Sequence, residues 1–279
     1  MSANPKRSQK RAGANPIALF YLRSLAAVVA VLGGAFCARA NTPAQASHGI
    51  GEGEVLNYSV RWGIIPSVGR IKISADSLGS GSGQVLRVTT TTSTWGLARG
   101  ILPFDGRGES IYQEPSGRLI SSDQWSSYRD KVVKNSTTFD YDNMIASFTD
   151  DIHPEKSHKL KMPGDDPSDL ILALIQTRYW DLKPGDKRDA LVIFQDQFYQ
   201  LTIHAEDEFQ TVFTSLGVFK TTVLVPRMEK TPPIGMFKRG STVRVWIAND
   251  DPRHLPVRFE VGFKVGTGTA TLIDYQPPK

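Results

Sequence analysis

From Glu54 onward, apolar and polar residues alternate with a period of two over most of the chain, as in strands that bury one face. In the first run, Leu56, Tyr58, Val60 and Trp62 alternate with Val55, Asn57, Ser59 and Arg61. Ile71 and Ile73 are flanked by Arg70, Lys72 and Ser74, and the stretch 85–94 is rich in β-branched residues, which favour extended backbone. Further strands are predicted at 108–113, 119–126, 131–140 and 145–149. After an interruption they resume at 190–194, 198–205, 208–214, 217–225, 242–248, 257–265 and 269–275. Turn residues separate them at Gly79 to Gly83, Glu114 to Gly117 and Asp140 to Asn143. Two longer breaks are read as loops: the segment with Gly96, Gly100 and Pro103, and the Pro-rich stretch from Pro226 to Gly240.

The interruption has a different period. Asp166-Pro167-Ser168-Asp169 precedes LILALIQTRYW, and Lys183-Pro184-Gly185 follows. Asp166 fits an N-cap with Pro167 in the first helical position, and Asp169 adds a favourable charge to the first turn. Leu170, Ile171, Leu174, Ile175 and Arg178 form one helical stripe, widened by Leu172 and Tyr179, and Pro184 is expected to stop the helix. A helix apolar on nearly all sides must be buried. The expected fold is therefore mainly β: a curved antiparallel sheet or open β-barrel of about a dozen strands wrapped on one buried helix.

The first forty residues read differently. Lys6, Arg7, Lys10, Arg11 and Arg23 precede an apolar run from Leu25 to Phe36, which ends near Ala38-Arg39-Ala40. Basic region, short apolar region and small-x-small site together describe a secretory signal peptide over 1–40. The run is shorter than the roughly 20 residues of a membrane span, although a retained anchor is the competing reading. Ala44-Gln45-Ala46 is a second cleavage point, so the mature start is expected near Asn41 or Ser47. Residues 41–53 read as a flexible lead-in and 54–276 as a single β-rich domain. Cys37, the sole cysteine, would mark a lipoprotein were Phe36 a small residue; it reads as part of the leader. The mature chain then lacks cysteine and is expected in the periplasm, where its core must suffice without disulfides.

The leader also distorts the charge. The chain has 33 Lys and Arg against 28 Asp and Glu, and six of the basic residues lie in the first forty positions, with no acidic ones. The remaining 27 against 28 leave a charge of −1, so the sequence pI of about 9.2 is no argument for nucleic acid.

Candidate chemistry is sparse. His48, His153, His158, His204 and His254 are scattered, and Pro154, Glu155 and Lys156 place the closest pair in a polar loop rather than a metal site. No G-x-S-x-G elbow, H-E-x-x-H pair or phosphate loop is present, and no cofactor is implied. Asp105, Glu109 and Asp123 are the only acidic set suited to acid–base work on a polysaccharide. Apolar residues in the predicted loops, Trp95, Leu97, Ile101 and Phe104, then Met236 and Phe237, are expected to cover the open end of the sheet or, alternatively, to form a mouth for a hydrophobic ligand. Arg253, His254 and Arg258 are a candidate anion-binding set, although an Asp-Pro turn between two strands is by itself enough to explain their segment and is the favoured reading.

Three segments carry a family resemblance: GEGEVLNYSVRWGIIPSVGRIKI, DDPSDLILALIQTRYWDLKPGD and VRVWIANDDPRHLPVRFEVGFKVGTGTATLIDY. Their order, with Gly217-Val218-Phe219-Lys220-Thr221 between the second and third, resembles the exported bacterial proteins of domain-of-unknown-function family 3108. The resemblance spans nearly all of 51–276 and implies no activity. The architecture is also similar to envelope lipoprotein carriers, without residue correspondence. The expected protein is a non-catalytic envelope protein that binds a hydrophobic or amphipathic ligand, either a lipid or a lipidated protein. A structural or assembly factor contacting other envelope proteins and a polysaccharide-acting enzyme are the alternatives. Nothing in the pattern fixes the oligomeric state.

Overall fold

The computed structural model describes residues 49–79, 85–114, 116–238, 240–264 and 266–279. The expected signal peptide, its two expected cleavage points, Cys37 and His48 lie outside them. Sixteen strands join edge to edge in one sheet. They are β1 (Val55–Trp62), β2 (Ile65–Leu78), β3 (Val85–Thr94), β4 (Phe104–Gln113), β5 (Leu119–Tyr128), β6 (Lys131–Asp140), β7 (Ile145–Asp150) and β8 (His158–Lys161). The second half supplies β9 (Ser168–Asp169), β10 (Lys187–Phe194), β11 (Gln197–Ala205), β12 (Gln210–Thr214), β13 (Gly217–Arg227), β14 (Thr242–Ala248), β15 (Pro256–Phe263) and β16 (Gly266–Gln276).

The strand order is β8-β7-β6-β5-β4-β3-β2-β1-β16-β15-β14-β13-β11-β10-β9, and β12 pairs only with β13. Two trains of antiparallel strands thus meet in mid-sheet, where β1 pairs with β16 from Val55↔Gln276 to Trp62↔Gly268. The pairing of β9 with β10 is parallel, at Val192↔Ser168 and Ile193↔Asp169. The sheet is curved and unclosed. It curls until β9 at one end packs against β5 in the opposite wing. Of the sixteen strands, β8 and β9 are the two without a counterpart in the sequence pattern, being too short to show a period.

The buried helix is α2 (Leu170–Gln176), and every residue from Leu170 to Ile175 is out of solvent. It packs with the inward side chains of β1 and β2 (Leu56, Tyr58, Ile71, Ile73) and of β11, β15 and β16 (Leu201, Val261, Leu272) in one apolar core. Two expectations about it are corrected. The N-cap is Asp169, whose Oδ1 accepts from the Ile171 and Leu172 backbone N–H groups, each at 2.9 Å. Asp166 lies one turn too early, because Ser168 and Asp169 are held extended by their pairing with β10. The helix also ends before Pro184: after Gln176 the chain tightens into one 3₁₀ turn, Thr177–Tyr179, where Thr177 Oγ1 donates to the Leu174 carbonyl at 2.5 Å.

The predicted loop around Gly96 and Gly100 holds a short exposed helix, α1 (Gly96–Ile101). The described part of the expected lead-in, 49–53, packs onto the domain. Ile50 is buried and the Gly53 N–H bonds to the Ala75 carbonyl at 2.8 Å. The β12–β13 hairpin folds over the convex face. Ser215 Oγ donates to the Ile273 carbonyl at 2.7 Å, and Gln210 accepts from the Trp246 indole at 3.0 Å, which explains how an outward Trp is buried.

Candidate functional site: a cleft between the β3–β6 wing and the buried helix

On one side of α2 the sheet interior is filled. On the other, between β3–β6 and the start of the helix, a cleft of about 420 Å³ remains. Its volume lies in the range of small-molecule sites, about 300–1,000 Å³. Strand alternation selects its lining. Thr90 and Thr92 of β3 stand opposite Gly108 and Gly106 of β4, and these stand opposite Gln124 and Ser126 of β5. Gln124 in turn faces Asn135 of β6. With Ser110 and Ser122, this wall is built of hydroxyls, amides and glycines. The facing wall is apolar: Leu170 and Ile171 from α2, and Phe194 at the end of β10. Small inward residues, Thr90, Gly106, Gly108, Ser110, Ser122 and Ser126, leave the space empty.

Phe104 lines the cleft from the polar wall. A Cβ on Gly106 would lie 3.1 Å from the Phe104 ring, so glycine lets that ring lie along the sheet. Two polar atoms of the lining, Thr90 Oγ1 and Tyr128 Oη, are buried without a hydrogen-bond partner among the described residues. Unpaired buried hydroxyls are costly unless a ligand or water satisfies them. At the base, Tyr112 Oη donates to Asp169 Oδ2 at 2.6 Å, so one carboxylate caps α2 and ties it to the wing. Burial, then the Asp169 charge, pushes the Tyr112 phenol well above its ordinary range. Lys131 stands at the mouth.

The sequence-predicted ligand set separates. Phe104 is in the cleft. Met236 is buried in the 3₁₀ turn Gly235–Phe237, and Phe237 packs half-buried against the core; both sit behind Phe194, whose ring lies 3.4 Å from where a Gly235 Cβ would be. Trp95, Leu97 and Ile101 point outward on and before α1. The anion set is not brought together either. Arg253 donates through its Nε to Asp251 at 2.7 Å and lies 5.0 Å over the Tyr275 ring. Burial raises the Asp251 carboxyl, but the Arg253 hydrogen bonds outweigh it and hold it below the usual carboxylate range. His254, at a φ of 46°, meets the Tyr179 ring edge-on at 6.4 Å. Arg258 lies on the convex face, 5.6 Å over Trp246, and burial, then the nearby Arg61, lowers its pKa.

Of the acidic set, Glu109 and Asp123 border the cleft through their strands, but their side chains turn to the other face. Alternation puts Asp105, Glu109 and Asp123 on the convex side, where Arg99 bonds Asp105 at 2.7 Å and Arg87 and Arg107 pair with Glu109 at 3.2 and 2.7 Å. Glu109 stands directly opposite Asp123. Burial, then the Glu109 and Asp151 charges, raises the Asp123 carboxyl, against a smaller pull from Lys134. A carboxylate raised on folding costs stability once pH passes the unfolded value, with the full cost above the folded one. Asp123→Asn is therefore expected to stabilise the protein near neutral pH by about 0.5 kcal/mol or less after solvent screening, and to be neutral below about pH 3. Denaturant midpoints of both forms across pH check this.

Sequence reasoning missed the charged pair at the core. Arg178 and Glu54 are both fully buried, Nη1 to Oε1 at 3.4 Å. Arg178 also donates to the Arg253 carbonyl from Nε at 2.9 Å and to the Gly49 carbonyl at 3.4 Å, joining the end of α2, the N-terminal segment and the β14–β15 turn. A lone Arg on the apolar helical stripe was the available signal. The Thr/Ser/Gly wall of the cleft was legible as alternation, but which face looked inward was not.

Among the described residues, no three His, Cys, Asp or Glu side chains gather to hold a metal ion, and no helix is long and apolar enough to cross a membrane. The sheet and its groove define an open, β-barrel-like fold. The chain belongs to the family described as "Protein of unknown function (DUF3108)", whose model matches residues 57–273. No curated protein matches it in sequence. Among solved structures it is similar to the β-barrel-like protein of domain of unknown function DUF1849 from Brucella abortus, at 9% identity and a TM-score of 0.47, covering 81% of this chain and 97% of that one. It is also similar to a DUF1089 family protein from Pseudomonas aeruginosa (8%, TM-score 0.37, 69% and 89% covered). A third likeness is to a Bacteroides fragilis protein of YmcC-like fold (14%, TM-score 0.31, 81% and 96% covered). All three likenesses are loose.

Proposed function

We propose that this is an exported, non-catalytic protein of the bacterial periplasm that holds an amphipathic molecule, a lipid or the lipid-bearing part of a lipidated protein, in the cleft between β3–β6 and α2. The observation that carries this reading is the cleft's two-sided lining. Leu170, Ile171 and Phe194 suit a hydrocarbon portion, while Thr90, Ser122, Gln124 and Tyr128 suit a hydroxyl- or carbonyl-bearing portion. A purely apolar ligand would leave the Thr90 and Tyr128 hydroxyls unpaired, and a purely polar one would waste the helix wall. Two of the three carboxylates of the polysaccharide-enzyme alternative, Asp105 and Glu109, are engaged in ion pairs with Arg99, Arg87 and Arg107. The assembly-factor alternative would use exposed strand edges or the apolar loops; of these, the edge strand β8 is four residues long and carries Lys159 and Lys161, which blunt edge pairing.

The cleft can be filled from the wing. Ser126 lines it on β5, and Ser126→Trp would place an indole in the space. Titration of a dansyl-labelled lysophospholipid into the purified protein is expected to give saturable binding, at least tenfold weaker in Ser126→Trp. Equal binding by the two proteins would rule the cleft out as the lipid site.

A further inference from the structure

The turns β1–β2, β3–β4 and β5–β6 leave the same rim of the sheet, because successive antiparallel strands alternate in direction. The cleft mouth opens on this rim, at Phe104, Tyr128 and Lys131. The rim also concentrates exposed apolar side chains. Ile64, at the tip of the β1–β2 turn, is 99% exposed, and Leu97 and Ile101 on α1 are 93% and 73% exposed, with Trp95 half-exposed beside them. Buried-core logic explains none of these. They project singly from two adjacent turns rather than forming a groove or flat face. The turns are fixed to each other: the Trp95 N–H donates to the Val68 carbonyl at 2.9 Å, and α1 packs on β2.

Cations accompany this crest. The Arg70 guanidinium lies 4.1 Å over the Trp95 ring, and Arg129 Nη2 donates to the Ile101 carbonyl at 3.1 Å. Arg99 is spoken for by Asp105, but Arg70 and Arg129 form no ion pair among the described residues. Projecting Ile, Leu and Trp side chains collared by these arginines match the layered chemistry of a membrane interface: hydrocarbon, then an aromatic level, then anionic headgroups.

We infer that the α1 rim is a peripheral docking surface for an anionic lipid bilayer, with Ile64, Leu97 and Ile101 entering the acyl boundary and Arg70 and Arg129 contacting headgroup phosphates. Isolated tips suit a fluid surface that closes around them, whereas a protein partner would need a matching continuous face. Docking here sets the cleft mouth at the lipid surface. The inference stands on the rim alone and does not require the cleft to be occupied.

Flotation with vesicles tests it, using the full mature chain and vesicles of phosphatidylcholine with or without phosphatidylglycerol. The protein is expected to float with the phosphatidylglycerol vesicles, more weakly with phosphatidylcholine alone, and less at high salt. Ile64→Asp/Leu97→Asp/Ile101→Asp should weaken partitioning at least tenfold while keeping the wild-type circular dichroism, because all three sites are exposed. Arg70→Gln/Arg129→Gln should lose the preference for phosphatidylglycerol. Ser126→Trp should float like the wild type, so that loss of the cleft reading and loss of this one are separately visible. No flotation with either vesicle, or flotation unchanged in the triple variant, overturns the inference. A protein neighbour crosslinked at Leu97 without any vesicle binding overturns it in favour of a protein partner.

Discussion

Arg178→Met is expected to destabilise the fold by about 4 kcal/mol, a fall in melting temperature of roughly 10 °C for a domain of this size. Most of that cost comes from the uncompensated charge that the substitution leaves in the core. Glu54 is fully buried, and Arg178 is the guanidinium beside it, at 3.4 Å. Without the cation, the carboxylate must take up a proton or draw in water, and both cost free energy. Arg178 also closes the carbonyls of Gly49 and Arg253, so three chain segments lose their common anchor. Adding Glu54→Leu removes the buried carboxylate, and the double variant should recover about half of the stability; the unrecovered part belongs to the two carbonyls and to the Tyr275 hydroxyl that bonds Glu54. Thermal melts of the four proteins give the coupling directly. A single variant as stable as the wild type would mean that the pair is not buried in solution.

The second large effect falls on Asp169. One carboxylate accepts two backbone N–H groups at the start of α2 and the Tyr112 hydroxyl from β4. Asp169→Ala should cost about 3 kcal/mol, combining the missing N-cap with the missing charged hydrogen bond in the core. Asp169→Asn keeps a capping oxygen and should cost about 1 kcal/mol. The consequence reaches the cleft, because Asp169 is where the curled wing is fastened to the helix across it. Asp169→Ala is therefore expected to weaken binding of the dansyl lysophospholipid as well as lower the melting temperature. Hydrogen exchange at Ile171 and Leu172 should rise in step, since those amides lose their acceptor.

Much of the fold could be read from the chain because strands with one buried face announce themselves locally. The alternation of Leu56, Tyr58 and Val60 is the burial pattern of β1, and the apolar run after Asp169 is α2. The less legible features depend on distant partners. That β1 pairs with β16 is set by two segments more than two hundred residues apart, with no local mark on either. Asp166 and Asp169 both satisfy the chemistry of a cap; the choice is made by β10, which holds Ser168 and Asp169 extended, and by Tyr112. The same limit applies to the site. Trp95, Leu97 and Ile101 were visible as apolar residues in a loop, but only the fold shows that they leave the protein surface while Phe104, a few residues further along, turns inward. The polar wall hides within an ordinary β-branched run, since Thr90 and Thr92 look alike whether they face water or a cleft.

If the cleft between the β3–β6 wing and α2 holds one amphipathic molecule, that molecule should leave the cell with the protein. Native mass spectrometry of the protein released from cells without detergent reads this most directly. The expected spectrum shows a single, stoichiometric adduct with the mass of a lipid or lipid-derived molecule, extractable into organic solvent and missing from Ser126→Trp. Wild-type protein that repeatedly carries only its own chain mass, and takes up no added lysophospholipid, would contradict a lipid-holding role.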